Sequence, residues 1–381
     1  MDPRLPLRRQ QAERLTTYAI VANGFAEGPA QALREYLCMR GADVVTILHP
    51  LTPEQGSRHV VSRYAGEKLV DEHTVDLRLR PPRSYLLDPL VPLLPPRIDT
   101  WFGFNPLACA RALPLRALGR VRRVVLWSVD FVPDRFGTRT LATRIYDRLD
   151  RICCRRADAR VELSEAARDG RNRRHDLRNG APAHVVPMGA WLDRVPTTAS
   201  DGYRRRRVVF LGHLVPRQGV ELLLAALAQL EDVAADVIGG GPLEEELRRR
   251  APANVRLHGF VPDHREVESL LAAASLGVAP YREDETSFTR YADPGKLKAY
   301  LAAALPIVLT RVPPNADDLA REAGAELVPY DADALAHAIA ASLDDRENWR
   351  RRRDAALAYV RRFDWEVLFS DLLPKLGVHL G

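Results

Sequence analysis

Short apolar runs alternate with amphipathic stretches along almost the whole chain. Residues 17–25 (TYAIVANGF) read as a buried strand that ends in a glycine turn, 28–41 (GPAQALREYLCMRG) as a helix with a glycine stop, and 42–48 (ADVVTIL) as the next strand. A strand–helix–strand order of this kind predicts a parallel sheet. Further strands are predicted over 99–104, 122–129 and 159–164, with a helix over 139–157 between the last two. The pattern fades through 178–202, which is rich in Pro, Gly and small polar residues and reads as a linker.

A second alternating series follows. Strands are predicted over 206–212, 235–241, 255–260 and 276–281, and helices over 219–230, 242–251 and 263–275. The stretch RYADPGKLKAYLAAALPIVLT (290–310) predicts a loop, a helix and a buried strand. Leu297, Tyr300, Leu301 and Ala304 recur at i, i+3, i+4 and i+7, which is one apolar helical face. Asp293 is placed to cap that helix and Pro294 suits its first turn. The last stretch, 346–377, is strongly helical.

The expected fold is therefore α/β, with two Rossmann-like parallel-sheet domains. The boundaries expected are 1–195 for the first domain, 203–350 for the second, and 351–381 for a helical segment packing back toward the first. Parallel sheets bind ligands beyond the carboxyl ends of their strands, and sites favour domain interfaces. Two such sheets facing each other would place a cleft between the halves.

Composition narrows the partners. A chain of 381 residues suits two domains, and a net charge of +6 favours anionic ligands. The arginine clusters at 204–207, 248–250 and 350–353 are separate and read as solvated faces. There is no zinc-finger spacing and no aromatic–basic interleaving, so nucleic acid is not the expected partner. An acidic small molecule or an anionic membrane surface stays open. Four cysteines without a CxxC pair suit a reducing compartment. The first fifteen residues lack a signal-peptide core, and no run approaches ~20 apolar residues. The expected location is cytoplasmic, with a peripheral membrane contact open through the apolar loop 84–96.

Five stretches carry candidate chemistry. Gly24 and Gly28, in the loop after the first strand, allow close backbone approach to an anion at a helix start, although a simple tight turn explains them equally. The turn GGGP at 239–242 leads into Glu244 and Glu245, whose charge suits the helix dipole and opposes a phosphate. His213, Arg217 and Gln218 lie in one strand–helix loop, where Arg217 offers a planar fork for phosphate oxygens. Lys296 sits in a first helical turn, where a cation opposes the dipole unless an anion is present. Lys298 lies about 200° further round and cannot face the same ligand. Asp130 follows a strand at its carboxyl end, where it can serve a sugar hydroxyl or form a turn before Pro133. His213, His258 and His264 share no helical face, and no metal site is expected.

In order and spacing, FLGHLVPRQGVELLLAAL, VIGGGPLEEEL, HGFVP and DPGKLKAYLAAALPIVLT resemble retaining family-4 glycosyltransferases of the GT-B fold. GFNPLACARAL, GRVRRVVLWSVDFVPDRF and RADARVELSEAARDG in the first half resemble a subgroup of them. The resemblance implies a nucleotide-sugar donor held by the second half, a hydroxyl-bearing acceptor on the first, retention of anomeric configuration, and no cofactor or metal. It puts the donor diphosphate at 213–218 and at Asp293, Gly295 and Lys296, the base near Phe260 and Val261, and Asp130 by the anomeric centre. His213, Gln218, Ala299 and Ala304 stand where the family usually has Arg, Lys, a ribose-binding Glu and Gly. The replacements at 213, 218 and 299 keep a second expectation in play, a catalytically weak or inactive GT-B protein that binds or activates a partner enzyme.

Overall fold

The first apolar run forms β1 (Thr17–Asn23), followed by α1 (Pro29–Met39) and β2 (Asp43–His49). Pro29 opens α1, where its missing N–H costs nothing, and Leu33, Tyr36 and Leu37 make the helix's buried face. Then come β3 (Arg58–Ala65), β4 (Lys68–Asp76), β5 (Ile98–Gly103), α2 (Pro106–Ala117), β6 (Val121–Ser128), α3 (Leu141–Arg156), β7 (Ala159–Glu162), α4 (Glu165–His175) and β8 (Ala183–Val185). The computed structural model describes residues 17–25, 28–88, 91, 97–283 and 288–380. Of the loop 84–96, residues 89–90 and 92–96 lie outside these residues.

The first sheet has the order β4-β3-β2-β1-β5-β6-β7-β8. Strands β1, β2 and β5 to β8 pair in parallel, and β3 and β4 add an antiparallel hairpin at one edge. That hairpin was not legible in the sequence, because edge strand β4 is exposed almost throughout and has no apolar alternation to read. Its Lys68, Asp71, Glu72 and Asp76 blunt an otherwise unpaired edge. Chain order reverses between β1 and β5, so the open end of this sheet lies beyond Asn23 and Gly103.

The second sheet repeats the plan. Its elements are β9 (Arg207–Leu211), α5 (Val220–Leu227), β10 (Ala234–Ile238), α6 (Glu244–Arg250), β11 (Val255–Gly259), α7 (His264–Ala272), β12 (Leu276–Ala279), α8 (Gly295–Ala302), β13 (Ile307–Thr310), α9 (Ala316–Ala323), β14 (Glu326–Val328), α10 (Ala332–Asp344), α11 (Arg346–Val360) and α12 (Trp365–Lys375). All six strands are parallel, in the order β11-β10-β9-β12-β13-β14. Alternate strand residues feed two cores. Val209, Ile238, Ala279, Ile307 and Leu309 meet α7, α8, α9 and α11. Val208, Phe210, Val237, Val278 and Val308 meet α5, α6 and α10. A strand buried on both faces explains why these segments read as continuous apolar runs.

Contacts divide the chain into Met1–Val186 with Phe369–Gly381, and Pro187–Leu368. Two expected boundaries move. The stretch 178–202 is not a free linker: β8 pairs with β7, and Thr198 N bonds Ala303 O at 2.8 Å within the second unit. Residues 351–368 belong to the second unit, because Ala356, Tyr359, Val360 and Phe363 complete its core. The 350–353 arginine cluster is not a solvated face. Arg352 is buried and donates to Gly324 O at 2.8 Å and Ile307 O at 2.7 Å, and Arg353 Nε donates to Thr198 O at 3.1 Å. The chain re-enters the first unit at Phe369, which packs edge-on against Tyr36 and Trp127.

Candidate functional site

In the second sheet chain order reverses between β9 and β12, and the side chain that fills this switch point is Lys296. It springs from the first turn of α8. Its Nζ lies 4.2 Å from the ring centre of Phe210 on β9 and 4.7 Å from that of Tyr281, just past β12. It donates to Gln218 Oε1 at 2.5 Å, and a Cβ on Gly212 would come within 3.0 Å of it. Lys296 is partly exposed as a residue, but its ammonium end is enclosed, and burial lowers its pKa from 10.5 to about 7. No carboxylate pairs with it among the described residues. Two aromatic faces and one amide oxygen are a weak substitute for water around a cation.

The surrounding loops are shaped by close backbone approach. Gly239 has φ +136°, and a Cβ there would stand 1.9 Å from Gly212 O, so only glycine lets the β10 turn lie against the β9 turn. His213 bonds Gly240 O through Nδ1 at 2.8 Å. A carbonyl only accepts, so Nδ1 carries the proton, and Nε2 can donate to a phosphate oxygen only in the imidazolium form. Arg217 and Gln218 lie in a short 3₁₀ turn just before α5. Phe260 follows β11 and is 77% exposed, while Val261 packs against the core. A Cβ on Gly240 would touch Phe260 at 3.4 Å, so the β10 and β11 turns adjoin.

Asp293 does not cap α8. The N-cap is Pro294, without a side-chain bond. Asp293 is buried, and its carboxylate accepts from Met188 N at 2.7 Å, Lys298 Nζ at 2.9 Å and Asn315 Nδ2 at 3.0 Å. It is committed to anchoring the segment after residue 187, not to a ligand. Lys298, on the far side of the helix, is buried with it and lies 3.9 Å from the Phe363 ring centre. Ala299, three residues on from Lys296, shares its helix face. Ala304 holds φ +61°, so the turn keeps a glycine-like conformation without glycine. The sequence did not point to Phe210, Tyr281 or Gly212. Their signal was the end of a strand at a topological switch, which needs the strand order to be seen.

In the first unit, Asp130 follows β6 and forms an ion pair with Arg135. Its backbone carbonyl accepts from Ser128 Oγ at 2.7 Å and from Arg171 Nη2 at 2.9 Å. Arg171 is buried and bonds Asp150, Glu162 and Ser128. Burial alone would lower its pKa, but Asp150 and Glu162 drive it well above the usual value. Asp130 thus sits on a rigid charged platform. Gly24 has φ +110°, and its N–H donates to His49 O at 2.7 Å. Gly28 is the N-cap of α1 in an extended conformation open to any residue.

One group lay outside the sequence reading. His49, His59 and Asp88 are all buried. The two Nδ1 atoms are 2.8 Å apart, and Asp88 Oδ1 is 3.7 Å from each. They share no motif: the β2–β3 pairing sets the two histidines opposite each other, and Asp88 joins them from the segment after β4.

Residues 205–345 match the family described as glycosyl transferases group 1. Among curated proteins, the phosphatidyl-myo-inositol mannosyltransferase of Mycolicibacterium smegmatis is 33% identical over 184 residues, 45% of this chain and 46% of that protein. Its Mycobacterium tuberculosis counterpart is 29% identical over 252 residues, covering 62% and 64%. A GDP-mannose-dependent alpha-(1-6)-phosphatidylinositol dimannoside mannosyltransferase of M. tuberculosis is 27% identical over 175 residues, covering 45% and 43%. The chain thus spans between 43% and 64% of these relatives' length. Among solved structures, sucrose-phosphate synthase from Thermosynechococcus elongatus superposes with a TM-score of 0.69 at 17% identity, over 95% of this chain and 99% of that one. Anabaena HepE in complex with UDP-glucose gives 0.66 at 16%, over 95% and 99%. Two open α/β units with these structural neighbours are the GT-B fold, and residues 205–345 are similar to the glycosyl transferases group 1 family.

Proposed function

We propose that this protein is a glycosyltransferase that moves a sugar from a nucleotide-sugar donor to an acceptor hydroxyl with retention of configuration. The observation that carries this reading is Lys296: an enclosed ammonium at the switch point of the second sheet, with no carboxylate partner among the described residues, in a region matching the family. A diphosphate there would meet Lys296 Nζ and the first-turn amides of α8. Arg217 would add a second cation and His213 a third when protonated. The exposed ring of Phe260 suits a nucleotide base. Transfer with retention joins the acceptor oxygen to the anomeric carbon on the face the diphosphate leaves, and the hydroxyl proton passes to the departing phosphate oxygen. Asp130 would orient that acceptor hydroxyl.

The relatives' names make GDP-mannose the first donor to try and a phosphatidylinositol lipid the first acceptor. Such a lipid would have the enzyme work at a membrane surface. The test is a thermal-shift panel of GDP-mannose, UDP-glucose and other nucleotide sugars, followed by product analysis with phosphatidylinositol. A ligand at 100 times its Kd stabilises by ~2.7 kcal/mol. No shift with any nucleotide sugar would defeat the proposal. A shift without transfer or donor hydrolysis would favour a non-catalytic binding protein, a reading that the absence of an acid at Ala299 keeps specific.

A further inference from the structure

We propose that His49, His59 and Asp88 form a binding site for a single divalent transition metal of the Zn2+ type. His49 ends β2, and His59 faces it across the antiparallel β2–β3 pair, where Leu48 opposes Val60. Asp88 reaches the pair from the segment after β4. All three are nearly inaccessible, at 1%, 0% and 5% exposure.

Two atoms that each lie ~2.0–2.1 Å from one ion must be within about 4.2 Å of each other. The separations of 2.8, 3.7 and 3.7 Å meet that limit without moving the backbone. Two imidazole nitrogens and one carboxylate oxygen suit Zn2+ better than Mg2+ or Ca2+, which prefer oxygen. The cluster does not satisfy itself. One Nδ1–H can donate to the other ring, which leaves Asp88 Oδ1 buried without a hydrogen-bond partner among the described residues. A cation between the rings would occupy the lone pairs of both Nδ1 atoms and of Oδ1 together.

The surroundings hold the carboxylate in place. Asp88 Oδ2 accepts from Asn23 Nδ2 at 3.1 Å, and Asn23 Oδ1 accepts from Asn105 Nδ2 at 2.7 Å. Arg111 is the neighbouring cation, and it is turned to backbone oxygens, donating to Asp88 O at 3.3 Å and to Val91 O. Outer contacts of this kind orient metal ligands. The site lies by the carboxyl ends of β1 and β2. There the ion would pin the segment at 88 to the sheet and keep a coordination position for water or another ligand. This departs from the metal-free expectation drawn from the sequence.

The test uses the tag-free full chain, stripped with EDTA and titrated with Co2+ and then Zn2+. One equivalent of Co2+ with visible d–d absorption, displaced by one equivalent of Zn2+, is the expected result. His59→Gln should abolish that equivalent, and Asn23→Ala should weaken it roughly 10–100-fold. Wild-type protein that takes up no stoichiometric metal overturns the proposal and makes the triad a hydrogen-bonded core cluster. So does one equivalent that persists unchanged in both His59→Gln and Asp88→Asn. The wild-type titration decides the matter even if a variant fails to fold.

Discussion

Replacing Lys296 with methionine should make the protein more stable and its donor binding worse, with both effects depending on pH. In the folded chain burial holds Lys296 near pKa 7 instead of 10.5, which corresponds to roughly 5 kcal/mol at most against the buried ammonium. Between pH 7 and 10.5 the unfolded chain binds this proton and the native chain does not. Wild-type stability therefore rises with pH across that window by up to ~1.4 kcal/mol per unit from this group. Lys296→Met removes the group, so its stability advantage over wild type should be greatest at and below pH 7 and shrink toward pH 9. A diphosphate reverses the balance, since it stabilises the ammonium. Through Lys296, wild-type donor affinity should be level below pH 7 and fall by up to about tenfold per unit above it. The diphosphate diester of the donor does not itself titrate there. Loss of one charge-assisted bond, worth ~1.5–3 kcal/mol, should weaken donor binding in Lys296→Met roughly 10–150-fold. Denaturant melts at several pH values and calorimetric titration with GDP-mannose read both effects. Equal donor affinity in the variant, or wild-type affinity flat from pH 7 to 9, would refute the phosphate role.

His213→Arg should tighten donor binding, because a guanidinium brings a permanent charge and a planar fork of donors to the phosphate oxygens; unchanged affinity would count against His213 as a phosphate contact. Gly239→Ala should cost ~2–3 kcal/mol or more in denaturant unfolding, since a Cβ would lie 1.9 Å from Gly212 O at φ +136°; a loss under ~1 kcal/mol would mean the two turns are not locked together. Arg171→Met should destabilise the first unit by roughly 3 kcal/mol, since it removes the cation that buried Asp150 and Glu162 share and leaves them only His175 at 2.8 Å and Arg160 at 3.6 Å; a neutral result would show that those two residues compensate the carboxylates. Asp130→Asn should slow transfer about tenfold or more with donor affinity kept, the rate equivalent of one charge-assisted hydrogen bond; unchanged turnover would return Asp130 to a turn-forming role.

Most of the architecture was legible in the residues. A strand buried on both faces leaves an unmistakable apolar run, and a one-sided helix leaves a 3.6-residue period, so β9 to β13 and the helices between them were readable locally. The β3–β4 hairpin was not, since an exposed edge strand satisfies no core. The unit boundaries were misplaced because Pro- and Gly-rich stretches look alike whether they are loose or, as at Thr198, bonded to a core. Opposite faces for Lys296 and Lys298 followed from helix geometry alone.

What the sequence could not decide was which polar groups share a space. Asp293 looked like a cap and is instead an anchor, because three donors from distant segments converge on its carboxylate. Lys296 looked like a first-turn cation, but the burial that lowers its pKa comes from the strand order, which sets Phe210 and Tyr281 beside it. His49, His59 and Asp88 looked like three unrelated residues until strand pairing set the histidines together and the segment after β4 brought Asp88 to them. Local pattern determines elements, because hydrophobic periodicity is a property of neighbours in the chain. Charge, burial and ligand geometry depend on neighbours in space, and those belong to the tertiary structure.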